Sequence, residues 1–83
     1  MNKIIRFRVK REVDSGRERT IIKLKGSLIA KGYTDIIHIS DENENFYLHT
    51  FSTPSKDEKK AKTFMQEYIL LTGLSDAIVL VEP

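Results

Sequence analysis

Two histidines, His38 and His49, and no cysteine bound the reactive chemistry open to this chain. Without thiols there is no disulfide, no thiolate metal site and no cysteine nucleophile. His38 and His49 lie in neighbouring segments, with Asp35 and Asp41 close by in sequence. A metal site needs three ligands at fixed geometry, and neither a His-x-x-x-His nor a cysteine spacing occurs. Asp41, Glu42 and Glu44 crowd one polar turn, where carboxylates are solvated rather than held against a substrate. Ser15-Gly16-Arg17 offers amides and a guanidinium at a helix start, but it lacks the glycines of a phosphate-cradling loop, so capping is its expected role. Lys56-Asp57-Glu58-Lys59-Lys60 reads as a solvated charged helical turn. The expectation is a non-catalytic chain with no metal and no cofactor.

Binding chemistry is better represented. Arg6, Arg8 and Lys10 alternate with apolar residues, and so do Tyr47, His49 and Phe51. On one exposed surface these would supply cations for phosphates and rings for base stacking. Charge is unevenly spread behind a net +2: ten basic and three acidic side chains in residues 1–31 give +7, and the remaining 52 residues, with four lysines and nine acids, give −5. A partner meets that local field rather than the net value, unless folding interleaves the two parts.

These side chains need elements to hold them. Ile5, Phe7 and Val9 alternate with Arg6, Arg8 and Lys10 over residues 3–10, the period of a half-buried strand. Asp14-Ser15-Gly16 breaks it. Ser15 and Glu18 have capping-box spacing, and Ile21, Leu24, Leu28 and Ile29 recur at helical spacing up to Gly32, which predicts a helix over about 16–31. Lys25 falls inside the apolar arc and Gly26 weakens the helix, so a hairpin with Thr20, Ile22 and Leu24 in a second strand is the competing reading. Residues 33–40 are β-rich, 41–45 form a turn, and 46–52 form a third strand. Ser55 and Glu58 repeat the capping-box spacing before Ala61, Phe64, Met65, Tyr68 and Leu71, a helix that ends at Gly73. Residues 77–81 are a short apolar strand.

The order β-α-β-β-α-β resembles the ferredoxin-like fold: α+β, a four-stranded antiparallel sheet in order 4-1-3-2, two helices on one face. The resemblance spans the single domain 1–83 and rests on element order alone. With Ile5, Phe7 and Val9 inward, Arg6, Arg8 and Lys10 face outward; with Phe46 and Leu48 inward, Tyr47, His49 and Phe51 face outward. RNA-recognition modules of this fold carry aromatics on these two strands. Here the first strand offers Arg instead, and the third lacks the Gly-aromatic signature. The final strand is apolar on both sides. Ala77, Val79 and Val81 share one face, and Ile36 adds an uncovered aliphatic on the second strand.

Two functions compete: a protein-interaction or self-assembly module, expected as a homodimer through the open sheet, and a binder of RNA or single-stranded DNA through Arg6, Arg8, Lys10, Tyr47, His49 and Phe51. No apolar run approaches the roughly 18 residues of a membrane span, and no secretory signal opens the chain, so a cytoplasmic setting is expected.

Overall fold

The computed structural model describes residues 1–81, in the order β1 (Asn2–Lys10), α1 (Ser15–Ala30), β2 (His38–Asp41), β3 (Phe46–Pro54), α2 (Glu58–Leu71) and β4 (Ile78–Val81). The four strands form one antiparallel sheet, β2-β3-β1-β4, which is the ferredoxin-like order. The hairpin alternative for residues 16–31 is absent, because Ile21, Leu24 and Leu28 are buried at one helical face. Ile29, counted within that apolar arc, instead remains 44% exposed.

Helix starts differ in detail from the capping-box reading. Asp14, not Ser15, caps α1: its Oδ1 accepts from the Arg17 amide at 2.8 Å. Ser55 does not cap α2. It opens a short 3₁₀ turn, Ser55–Asp57, and both its amide and its hydroxyl donate to the Met1 carbonyl, which ties the start of β1 to the start of α2. Both helices end in the same way. Gly32 and Gly73 have φ of +79° and +71°. The next amides, Tyr33 and Leu74, donate back to Leu28 and Ile69, while the glycine amides donate to Ile29 and Leu70. That pattern satisfies the last carbonyls and needs a left-handed residue, which glycine supplies without a Cβ clash.

The core lies between the helices and one sheet face. Ile5, Phe7 and Val9 of β1 meet Ile21, Leu24 and Leu28 of α1 and Ala61, Met65 and Ile69 of α2, with Leu74, Ala77 and Ile78 closing the β4 side. The Tyr68 hydroxyl donates to the Thr20 carbonyl at 3.1 Å and links the helices. Leu71, placed on the apolar face of α2 by its spacing, is instead 84% exposed, and Ile69 takes the buried position.

Two strands are shorter than their β-rich runs. Residues 33–37 precede β2 as a loop, in which the Thr34 hydroxyl donates to the Ile36 carbonyl. Ala77 precedes β4.

Candidate functional site

Register decides which side chains share a surface. In the β1–β3 ladder Val9 is opposite Tyr47, Phe7 opposite His49, and Ile5 opposite Phe51. Directly opposed residues point to the same face. Tyr47, His49 and Phe51 therefore lie on the helix-covered face, and the expectation that they join Arg6, Arg8 and Lys10 is overturned. A shift of one residue in parity exchanges every side chain between faces. The outward set of β3 is Phe46, Leu48 and Thr50, opposite Lys10, Arg8 and Arg6. Phe51 is 1% exposed and meets Phe7 edge-on, with ring centroids 6.3 Å apart. His49 is 3% exposed and its ring lies 4.9 Å from that of Phe7. The open face thus keeps its cations and loses Tyr47, His49 and Phe51, while the half-buried Phe46 opposite Lys10 remains on it.

Those cations are partly neutralised. Arg8 Nε donates to both carboxylate oxygens of Glu42, at 2.7 and 2.8 Å. Arg11 donates to Asp41 at 2.8 Å and lies 4.3 Å from the centre of the Tyr47 ring. That hydrogen bond to Asp41 raises the Arg11 pKa. The basic N-terminal third and the acidic 41–44 turn are therefore interleaved across neighbouring strands. Asn43 fixes the turn, its Oδ1 accepting from the amides of Asn45 and Phe46. Arg17 pairs with Asp76, from the segment before β4, at 3.1 Å beside the Asp14 cap, so the start of α1 is already occupied by protein side chains.

The proposed interface set divides. Val79 and Val81 lie on the open face opposite Arg8 and Arg6, and Val79 is 46% exposed. Ala77 does not join them: it is 1% exposed and packs in the core, because it precedes the strand and its direction is set by the turn from Leu74. Ile36 is exposed but sits in the loop before β2, at the opposite edge of the sheet, so it shares no surface with Val79. Leu70, which the sequence reading passed over, stands at 74% exposure and lines a groove with Ile78, Val79 and Leu80. The signal was the Ile69-Leu70-Leu71 run, too apolar for one helix face.

The two histidines lie on opposite faces, since His38 pairs with Thr50 and the next residue of β2, Ile39, pairs with His49. Among the described residues no cluster of three or more His, Cys, Asp or Glu side chains is placed to hold a metal ion. His49 is held neutral: burial, with the Lys25 ammonium nearby, pushes its pKa down to about 4. Lys25 itself is lowered by desolvation. A second basic surface gathers Lys31, Lys56, Lys59 and Lys60 around Tyr33 and Phe64, with the Lys31 ammonium 4.9 Å from the Phe64 ring centre. Among the described residues no helix is long and apolar enough to cross a membrane. Comparison with protein-family models, curated proteins and solved structures returns no match, so any functional reading of this chain rests on its own geometry.

Proposed function

We propose that the chain is a self-assembly module that pairs through the outer edge of β4. The observation that carries this reading is an edge strand, Ile78-Val79-Leu80-Val81, without a charge, a proline or a bulge. Exposed edges of this kind are templates for another strand, and chains that stay monomeric guard them with charged residues. Leu70 adds apolar surface beside the edge.

The open face is the weaker candidate for assembly. Arg6 and Lys10 are exposed there, and neither forms an ion pair among the described residues. Burying an unpaired cation against a second copy costs several kcal/mol, more than the roughly 1.5–3 kcal/mol gained by burying Val79. Edge pairing leaves both cations in water. A two-fold axis perpendicular to the sheet keeps each residue opposite one of the same face. Pairing centred on Leu80 then sets Val79 against Val81 of the second copy and continues the sheet to about eight strands.

The test is sedimentation equilibrium across the micromolar range on the full chain and on Val79→Lys. The expected result is a dimer that persists at high salt, and a monomeric variant with an unchanged circular dichroism spectrum. A wild type that is monomeric throughout, or a variant that still dimerises, rejects the reading. Phosphate-driven association would instead fall steeply with salt.

A further inference from the structure

Between the first half of α1 and strands β2 and β3, the helix layer leaves a crevice of about 500 Å³ on the covered side of the sheet. That volume falls within the range of small-molecule sites. Ile22 of α1 and Ile39 of β2 line it and are 56% and 54% exposed, so its walls carry apolar area that the fold itself does not cover.

Two polar groups in the same crevice lack partners. His49 is almost wholly buried, and its Nδ1 makes no hydrogen bond. Lys25 is half-buried and makes no ion pair among the described residues. Buried polar groups are normally satisfied, and an unsatisfied one calls for a specific explanation. The other charges at the rim do not supply it. Arg11 is engaged by Asp41, and Glu18 and Lys10 are exposed to water.

We propose that this crevice binds a small aliphatic monocarboxylate, its head group on the Lys25 ammonium beside His49 and its chain across Ile22 and Ile39. Among the described residues Lys25 is the half-buried unpaired cation of the lining, whereas the unpaired Lys10 at the rim is exposed to water, so one head-group charge is matched inside the crevice. The apolar walls match an alkyl body rather than a phosphate, whose charge and hydration need several donors. This inference does not depend on the β4 edge.

The probe is octanoate, titrated into the isotopically labelled full chain and followed by NMR, with 1-octanol and octylammonium as controls. Octanoate should shift the amides of Ile22, Lys25, Ile39 and His49. It should also raise the His49 pKa by about one unit, because a nearby anion favours the imidazolium. Lys25→Met keeps the aliphatic stem and should weaken octanoate at least about tenfold with the native spectrum retained, while Lys25→Arg keeps binding. Equal binding of 1-octanol and octanoate, unchanged affinity in Lys25→Met, shifts confined to other surfaces, or no binding up to the solubility limit each overturn the proposal. Should Lys25→Met fail to fold, the alcohol and amine controls on the wild type decide by themselves.

Discussion

The two edges of this sheet are both four-residue strands, yet they meet the rest of the molecule in opposite ways. β2, His38-Ile39-Ser40-Asp41, is exposed at every position and contributes nothing to the core. Its end runs into Glu42, which holds Arg8, while Asp41 holds Arg11. β4, Ile78-Val79-Leu80-Val81, buries Ile78, packs Leu80 against the core and leaves Val79 uncovered. Charge guards the first edge, and nothing in the described residues guards the second. The helix layer is uneven in the same sense. It closes over Ile78 and leaves Ile39 standing over the crevice. A strand can therefore belong to the sheet without belonging to the core, and the two proposals above rest on that difference: a second copy's strand at β4, a small carboxylate beside β2.

The contrast breaks first if the edges respond alike to truncation. Ile78→Ala should cost about 2–5 kcal/mol, because a 3%-exposed side chain leaves a cavity. Ile39→Ala should cost no more than about 0.5 kcal/mol, as for other exposed positions. Urea denaturation of the pair, at a concentration where the wild type is monomeric, measures both. Equal losses would show that β2 carries core packing its exposure conceals.

The second test concerns His49, opposite Ile39 in the β2–β3 ladder. The unfolded imidazole takes up a proton below its ordinary value of 6.5, and the folded one resists until about 4. Stability from this group is thus complete above pH 6.5 and is lost as the pH falls toward 4, with no further loss below. The difference corresponds to about 3 kcal/mol. Denaturation at pH 7 and 4.5 should show the wild type losing about 2–3 kcal/mol more than His49→Phe, since the carboxylates are common to both. Equal losses would mean that the imidazole is already protonated in the fold.

The smallest effect is expected at the guarded edge. Glu42→Gln removes the ion pair with Arg8, which is partly exposed, so about 0.2–1 kcal/mol should be lost, and less at high salt. Thermal melts at low and high salt measure it. A salt-independent loss well above that range would indicate that the pair organises the β2–β3 turn and is more than a surface guard.

Much of this contrast was present in the chain as written. The alternation of Ile5, Phe7 and Val9 defined β1 and its inward face, and the ladder agrees residue by residue. Gly32 and Gly73 marked both helix ends, because the left-handed turn that closes a helix is cheap only for glycine. Element order carried the resemblance to the ferredoxin-like fold, and the sheet order that this resemblance implies is the one observed. Lys25 within an apolar helical arc counted against the helix; the helix forms, and its Lys25 lines the crevice instead.

Parity in β3 was not decidable locally. Phe46 and Leu48 form one apolar set and Tyr47 and Phe51 another, so periodicity alone fits either face. Tertiary structure chose the second by pairing Phe7 with His49 and Phe51 in ring contact. The same holds for Ala77, whose alternation with Val79 ended once the turn from Leu74 carried it into the core. Local pattern determined which residues can be buried, because that depends on side-chain chemistry and repeat. Which of two equally apolar sets is buried depends on register against another strand, and register is fixed only by contacts distant in sequence.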